Sequence, residues 1–370
     1  MNTATATAER TPKQAWRMLA LGVGAQAAGT FLVSTPVYLI PLLHIRQGMA
    51  LADAGLLASA PTFGAVLTLV AWGALADRFG ERWVIAGGLG LTALFAFAAA
   101  PVGGYGWLGL WLGLGGAAAA STNAASGRVV VGWFPRRLRG LAMGIRQMAQ
   151  PLGVAAAALA VPPLAGRYGI AAPLLLAGGA TLVLALACAW GIRNPPRPAQ
   201  PSMGAPVTAS ANPYAQNQFL TRIHLVSALL VFPQFALSTF GLVWLTAGMG
   251  WNATAAGAVV AAAQFVGAFG RIGVGVLSDH MGTRIGVLRW VAVSGVVSMA
   301  ALGLTGALHW DVAAALMFIL ACTISVADNG LAFTSVAEAA GPFWAGRALG
   351  IQNTGQFLAA SAVGPTVGAL

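Results

Sequence analysis

Apolar residues run along this chain in long stretches separated by short polar segments. Eleven stretches are about 20 residues or longer, the length that crosses ~30 Å of hydrocarbon at 1.5 Å per residue. They cover residues 15–43, 51–76, 83–101, 107–132, 140–165, 169–192, 220–248, 252–278, 285–306, 312–338 and 347–370. The pattern predicts an all-α membrane protein, and we number these stretches as spans 1 to 11.

One polar connection is much longer than the others. Residues 193–219 are rich in proline, alanine and polar residues, which is typical of an extended flexible linker. This linker divides the chain into an N-terminal bundle of six spans (1–192) and a C-terminal bundle of five (220–370). We expect the linker to lie in the cytoplasm.

The basic residues predict the orientation in the membrane. If the N-terminus is cytoplasmic, the outer loops hold two basic residues, Arg46 and Arg167. The cytoplasmic segments then hold Arg10, Lys13, Arg17, Arg78, Arg82, Arg136, Arg137, Arg139, Arg193, Arg197, Arg222, Arg284, Arg289 and Arg347. Cytoplasmic loops of membrane proteins carry this excess, so we expect a multi-pass inner-membrane protein with a cytoplasmic N-terminus. The net charge of +11 then reflects topology, and no nucleic-acid partner is expected.

Composition excludes a soluble protein and gives no sign of an enzyme. Hydrophobic residues make up 58% of the chain and charged residues 7%, against about 25% charged in a soluble domain. Cys188 and Cys322 lie within spans, and we expect both to act as small packing residues. No phosphate-binding loop, metal-ligand spacing or combination of serine, histidine and acid stands out, so we expect no cofactor, no metal and no catalytic residue.

The two halves of the chain repeat each other. "GALADRFGER" (73–82) follows span 2, and "GVLSDHMGTR" (275–284) follows span 8, 202 residues later, with Gly, Leu, Asp, Gly and Arg in register. Asn123 of span 4 likewise corresponds to Asn329 of span 10, 206 residues later. Parallel repeats of this kind are a known plan of secondary transporters.

These motifs resemble those of the major facilitator superfamily. "GALADRFGER" is similar to the signature of that family between helices 2 and 3, and "GWFPRRLRGLAMG" (132–144) is similar to its passage from helix 4 to helix 5. The resemblance implies a major-facilitator fold of two six-helix-type bundles, and we expect a monomer in the lipid bilayer. Two features differ from the family: Glu81 stands at a usually basic position, and the spans predict 11 of the 12 transmembrane helices, with the twelfth missing.

The resemblance also implies a gate at the two repeated loops. Asp77 would hold the N-terminus of helix 11 in the outward-facing state, a contact between a charge and a helix dipole. The predicted gating residues are Gly73, Asp77, Arg78, Gly80, Arg82, Asp279, Gly282 and Arg284. The alternative is a pair of solvated loops whose charges set only the topology.

Charged residues inside spans are costly and therefore point to function. Arg271 lies eight residues before Asp279, ~12 Å into the core. "FGRIGVGVLSD" (269–279) resembles helix 8 of the monocarboxylate and oxalate branches, where such an arginine meets the substrate carboxylate. A guanidinium suits that task because its planar fork donates two parallel hydrogen bonds. The alternative is a structural pair with a nearby acid.

Further polar residues inside the spans complete the predicted site. The predicted substrate-binding residues are Arg271, Arg146, Gln264, Gln150, Asn123, Gln352 and Gln356. For Arg146 the alternative is contact with the cytoplasmic interface, and for each amide a hydrogen bond between helices. Asp328 lies ~18 Å from the cytoplasmic end of its span, where burial favours the neutral carboxyl form. It is the candidate for proton coupling, with a permanent ion pair to Arg271 as the alternative.

These predictions favour a secondary active transporter. We expect alternating access, a small organic anion such as a monocarboxylate as substrate, and protons as the coupled ion, which makes the protein a symporter. A proton-driven multidrug or metabolite exporter is the alternative. "GPTVG" (364–368) resembles the antiporter signature, but it lies in span 11, whereas that signature belongs in span 5. A non-transporting membrane sensor or an inactive fragment is the alternative of another class.

Overall fold

The computed structural model describes residues 12–195, 212–216 and 218–368, and all the regular secondary structure in these residues is helical. The N-terminal half contains α1 (Pro12–Pro41), α2 (Leu51–Phe79), α3 (Glu81–Ala99), α4 (Tyr105–Trp133), α5 (Arg139–Gln147), α6 (Ala149–Tyr168) and α7 (Ala171–Gly191). A short α8 (Pro213–Gln216) precedes α9 (Phe219–Val243), α10 (Ala253–Met281), α11 (Arg284–Ala307), α12 (Asp311–Ala340) and α13 (Ala345–Gly368). Most of the predicted linker 193–219 and residues 1–11 lie outside the described residues.

Each predicted span corresponds to helical structure, but two are less apolar than the rest. Nine helical segments of the described chain are long and apolar enough to cross a membrane. The spans at 107–132 and 347–370 form α4 and α13, of 29 and 24 residues, and fall short of that hydropathy. Both helices carry buried polar side chains, among them Ser126, Arg128, Gln352 and Asn353, which lower their hydropathy. Parts of both helices therefore lie in the interior of the molecule.

Span 5 differs from the single helix that its sequence predicts. The structure ends α5 at Gln147 and begins α6 at Ala149. The cause is Pro151, which has no N–H to donate to the carbonyl four residues earlier, that of Gln147. The freed carbonyl instead accepts a hydrogen bond of 2.8 Å from Nη1 of Arg271 on α10. A proline in one half of the molecule thus positions an arginine of the other half.

The repeated halves place equivalent helices in equivalent positions. α1 continues into a π-helical turn at Leu42–Arg46, and α9 continues into another at Trp244–Gly248, 202 residues later. The halves cross where α2 packs against α13 and where α10 packs against α5. The register found in the sequence is therefore also a structural register.

Glycine pairs allow these two crossings to be close. A Cβ atom added at Gly73 of α2 would overlap the backbone oxygen of Gly346 on α13. A Cβ atom at Gly275 of α10 would overlap the backbone oxygen of Gly140 on α5. Both pairs lie at the end of the bundles that holds residues 73–82 and 275–284, which we call the motif end.

The main hydrophobic core crosses from one half to the other at the motif end. It joins Met143 and Trp133 of the first half to Phe333, Val336 and Leu349 of the second. The outer helix surfaces instead expose large apolar side chains, as expected of surfaces that face lipid: Trp190 is 82% exposed and Leu159 79%. The two halves are thus packed tightly together at the motif end.

Candidate functional site

A cavity of about 650 Å³ lies between the two halves. Its walls come from α1, α4, α5 and α6 on one side and from α9, α10, α12 and α13 on the other. It extends from Arg271 and Phe333, near the packed motif end, towards Gly257, Ala158 and Tyr38. Its volume falls within the range of about 300–1,000 Å³ that is usual for small-molecule sites.

The structure brings five of the seven predicted substrate-binding residues into the wall of this cavity. They are Arg271, Gln264, Gln150, Asn123 and Gln356. Arg146 and Gln352 do not line it. Gln234 lines it and was not predicted, although a glutamine beside a proline inside an apolar span was a usable signal.

Arg271 is 9% exposed and lines the end of the cavity next to the closed crossing. Its Nη1 donates to the Gln147 carbonyl at 2.8 Å, while its Nε has no hydrogen-bond partner among the described residues. The guanidinium is therefore held from one side and keeps donor capacity for a ligand.

Asp328 is buried behind the cavity wall, on α12 between two lining residues of the same helix. Neither of its carboxylate oxygens has a hydrogen-bond partner in the described part of the chain. Arg271 is close enough to act on it electrostatically, but the two form no direct ion pair. In this structure Asp328 and Arg271 thus interact electrostatically without a direct ion pair, and both the coupling role and the paired alternative stay predictions.

Arg146 points into its own half of the molecule. It is 1% exposed, and it donates to Ser126 Oγ at 2.8 Å, to Gln147 Oε1 at 2.7 Å and to the Asn123 carbonyl at 2.7 Å. Its guanidinium carbon also lies 5.3 Å from the centre of the Phe333 ring. Arg146 thus contacts three cavity residues, Asn123, Gln147 and Phe333, from behind and does not itself line the cavity.

Gln352 joins a second group of side chains away from the cavity. The hydroxyl of Tyr214 lies 2.8 Å from Nε2 of His224, whose Nδ1 donates to Gln352 Oε1. Tyr214 lies outside the spanning helices, and burial raises its pKa to about 12. Its hydroxyl therefore stays protonated and donates to His224. This chain links the short α8 to α13.

Asp77 holds the start of α13. Its carboxylate accepts hydrogen bonds from the backbone N–H groups of Gly346 at 2.8 Å and Arg347 at 3.0 Å. Arg128 of α4 forms an ion pair with Asp77 at 2.7 Å and with Glu81 at 2.9 Å. A carboxylate at a helix N-terminus is favourable because it faces the positive end of the helix dipole.

Asp279 makes the matching contact in the other half. Its carboxylate accepts hydrogen bonds from the backbone N–H groups of Gly140 at 3.0 Å and Leu141 at 2.9 Å, in the first turn of α5. Arg284 pairs with Asp279 at 2.5 Å and donates to the Arg136 carbonyl at 2.8 Å. Both repeated loops thus bind a helix N-terminus of the opposite half.

The remaining predicted gating residues shape these loops. Gly80 and Gly282 have positive φ angles of 92° and 65°, which favour glycine, where α2 and α10 end. Arg82 donates to the Ala189 carbonyl at 2.6 Å and so contacts α7 and not an acid. The guanidinium of Arg78 lies 5.2 Å from the centre of the neighbouring Phe79 ring.

Comparison with known proteins decides the family. The sequence pattern that defines the Major Facilitator Superfamily matches residues 16–365. The chain belongs to this superfamily. The transporter is 45% identical over 358 residues to an uncharacterized MFS-type transporter of Mycobacterium tuberculosis strain H37Rv, an alignment that covers 96% of the transporter and 79% of the relative. The transporter is also 30% identical over 171 residues, or 44% of its own length, to the probable anion transporter 4, chloroplastic, of Arabidopsis thaliana.

Solved structures confirm the fold. The proton:xylose symporter XylE matches the transporter with a TM-score of 0.72 and 14% identity, covering 96% of the transporter and 89% of XylE. FucP in the outward conformation matches with a TM-score of 0.69 and 15% identity, covering 95% of the transporter and 92% of FucP. The predicted family and the predicted all-α major-facilitator fold are therefore confirmed, and the chain is a multi-pass membrane transporter.

Proposed function

We propose that the transporter moves a small organic anion, such as a monocarboxylate, by alternating access and in symport with protons. The observation that carries this proposal is the charge distribution of the cavity between the halves. Among the described residues that line it, Arg271 carries the one full charge. A positive group at the closed end of a cavity of otherwise uncharged side chains favours a ligand with a single negative charge.

The environment of Arg271 fits a carboxylate. One of its donors is fixed by the Gln147 carbonyl, and this contact orients the plane of the guanidinium. Gln147 and Gln264 line the cavity together with Arg271 and add amide donors to the same site. A guanidinium held in this way binds a carboxylate with directional, charge-assisted hydrogen bonds.

The position of Asp328 supports coupling to protons. While Asp328 is ionised, its charge offsets that of Arg271, and the pair attracts an anion weakly. When Asp328 takes up a proton, the positive charge of Arg271 is no longer offset. Binding of a proton and binding of a substrate anion therefore favour each other, and reciprocal coupling of two ligands is the basis of symport.

The contacts at the motif end support alternating access. Asp77 and Asp279 each bind the N-terminus of a helix from the other half, so both contacts break if the halves separate at this end. The attraction between each carboxylate and the helix dipole contributes about 0.3–2 kcal/mol, and each hydrogen bond to the carboxylate contributes about 1.5–3 kcal/mol. Energies of this size allow two conformations to exchange, with substrate binding shifting the balance between them.

Uptake by proteoliposomes tests the proposal. We expect the wild-type chain to accumulate a labelled monocarboxylate when the outside is acidic. Arg271→Gln should reduce uptake at least tenfold, since loss of a buried charge contact costs about 2–5 kcal/mol. Arg167→Gln, at an exposed position on α6, is the matched control and should transport normally.

Asp328→Asn separates coupling from binding. This variant should still exchange substrate across the membrane at equal pH but should no longer accumulate it when a pH gradient is imposed. Unchanged uptake by Arg271→Gln would remove the anion-binding site from the proposal. Full proton-driven accumulation by Asp328→Asn would remove the coupling role.

A further inference from the structure

The cavity has an unusual lining of carboxamide side chains. Small-molecule pockets are mostly apolar with a few polar groups. Here eight amides contribute to the wall: Asn123, Gln147, Gln150, Gln234, Gln264, Asn329, Asn353 and Gln356. An amide can either donate or accept, so the chemistry of this wall depends on which atom of each amide is already used within the protein.

Arg146 sets the direction of the hydrogen bonds behind one wall. A guanidinium can only donate. Arg146 donates to Ser126 Oγ at 2.8 Å, and the Ser126 hydroxyl donates in turn to Gln26 Oε1 at 3.2 Å. Gln26 is left with its Nε2, which donates to Asn123 Oδ1 at 2.7 Å. The oxygen of Asn123 is thus occupied, and its NH₂ group remains for the cavity.

Gln147 is oriented by the same arginine. Its Oε1 accepts a hydrogen bond of 2.7 Å from Arg146, which leaves its NH₂ group without a partner among the described residues. Because Arg146 cannot accept, Gln147 cannot rotate its amide without losing this hydrogen bond, and Asn123 can rotate its amide only if Gln26 rotates with it. This side of the cavity therefore presents N–H donors.

The opposite wall presents both a donor and acceptors. Gln356 Nε2 donates to Asn329 Oδ1 at 3.0 Å, and Asn329 Nδ2 donates to Gln234 Oε1 at 3.0 Å. The free group at the end of this chain is the NH₂ of Gln234. Gln356 and Asn353 present acceptors instead. Gln356 uses its Nε2 for both Ser227 and Asn329, and Asn353 Nδ2 donates to the Leu349 carbonyl, so the side-chain oxygens of both stay available.

We infer that the substrate is a polyhydroxylated monocarboxylate, that is, a sugar acid of the aldonic type. This inference rests on the proposed function and adds the substrate class. The carboxylate would bind Arg271, and the hydroxyl oxygens would accept hydrogen bonds from the NH₂ groups of Asn123, Gln147 and Gln234. Arg146 acts as a positioning residue that keeps one wall donor-rich.

Other ligand classes fit this lining less well. An alkyl monocarboxylate would leave the amide donors unpaired when it displaces water, and a buried polar group without a partner is unfavourable. A second carboxylate on the ligand would find no second cation among the described lining residues. A neutral polyol would leave Arg271 without a counter-charge.

Binding of a ligand panel to the full chain in detergent tests the substrate class. Calorimetry would compare the aldonates gluconate, galactonate and threonate with hexanoate, the dianion glucarate and the neutral polyol sorbitol. We expect at least one aldonate to bind ~100-fold more tightly than hexanoate, because sites built around hydroxyl groups strongly reject analogues that lack them. Glucarate and sorbitol should also bind more weakly than that aldonate.

The panel separates the two levels of the proposal. If hexanoate binds as tightly as every aldonate and Arg271→Gln weakens both, the substrate class is wrong while the anion site stands. If Arg271→Gln changes the binding of no carboxylate, the proposed function itself is wrong.

Variants of the amide wall provide a second test. Asn123→Asp replaces the donor that faces the cavity by an acceptor, and it should weaken gluconate binding at least tenfold more than hexanoate binding. Asn212→Asp, an exposed position outside the spanning helices, is the control and should leave the ratio of the two affinities unchanged. An unchanged ratio in Asn123→Asp would overturn the inference.

Arg146→Met tests the positioning role. Without its donors, the amides of Asn123 and Gln147 are free to rotate, so the ratio of gluconate to hexanoate affinity should fall, and Arg146→Lys should restore part of it. A purely structural role would weaken both ligands equally, and that result would contradict positioning. The Asn123 variant decides the donor wall even if Arg146→Met does not fold.

Discussion

Replacing Asp77 by asparagine should open the transporter at the motif end. In the present conformation the Asp77 carboxylate accepts two backbone hydrogen bonds from α13, at 2.8 and 3.0 Å, and pairs with Arg128 at 2.7 Å. Asparagine keeps one oxygen, which can accept one of these bonds, and loses the charge. Arg128 retains Glu81 as a partner at 2.9 Å, so it is not left as an isolated buried charge.

The size of the effect follows from these contacts. A hydrogen bond to a charged group contributes about 1.5–3 kcal/mol, and the substitution removes one such bond and weakens the other. We therefore expect a loss of roughly 2–4 kcal/mol from the closed arrangement, taking 1.5–3 kcal/mol for each charged bond. Because the contacts exist only while the halves are closed at this end, the ratio of closed to open molecules should fall roughly 30- to 700-fold, at 1.4 kcal/mol per factor of ten.

Spin labels at Phe79 and Met281 would measure this change. These residues end α2 and α10 at equivalent positions of the two halves, and both side chains are more than half exposed. Pulsed electron-spin distances should show a longer component in Asp77→Asn. Asp53→Asn, in the first turn of the same helix and exposed, is the control. If the distance distributions of the two variants coincide, the proposed role of Asp77 in closure is refuted.

Three further predictions use other features. Pro151→Ala returns a helix donor to the Gln147 carbonyl, which should cost Arg271 its hydrogen bond and lower anion affinity roughly tenfold, for one charged bond of about 1.5 kcal/mol. Pro162→Ala, at an exposed position on the same helix, is the control and should bind the anion like wild type. Equal affinities of Pro151→Ala and wild type would contradict the link between Pro151 and Arg271. Gly73→Leu should prevent closure against Gly346 and lengthen the distance between the spin labels at Phe79 and Met281. Gly87→Leu, which has open space around it, should leave this distance unchanged. A wild-type distance in Gly73→Leu would show that closure does not need the close crossing. A cysteine at Arg167 should react with an impermeant maleimide from outside intact cells, and labelling only after the membrane is opened would invert the predicted topology.

Much of the fold follows from local sequence signals. The lengths of the apolar stretches predicted the spans, and the repeated Gly and Asp of the two loops predicted a matching pair of contacts. Both acids do bind helix termini. Pro151 accounts locally for the break in span 5, but the use of the freed carbonyl by Arg271 depends on a helix of the other half, 124 residues away in the sequence.

The arginines show why the site itself was harder to predict. Depth along a span follows from a residue count, but the direction of a side chain depends on how its helix is rotated. α5 crosses α10 so closely at Gly144 that a Cβ atom there would lie 2.7 Å from the Arg271 carbonyl oxygen. This crossing fixes the rotation of α5 and turns Arg146 towards α4 and away from the cavity. Arg128 of α4 also carries a full charge inside an apolar span, and it is buried because Asp77 and Glu81 pair with it.

The most direct test of the central claim, that Arg271 binds the substrate carboxylate, compares a carboxylate with its uncharged amide. Binding of gluconate and gluconamide would be measured for the wild-type chain and for Arg271→Gln. The wild type should prefer gluconate by at least tenfold, and the variant should bind the two ligands about equally, since a charge-assisted pair contributes about 1.5–3 kcal/mol. An equal preference for gluconate in both proteins would show that another group binds the carboxylate.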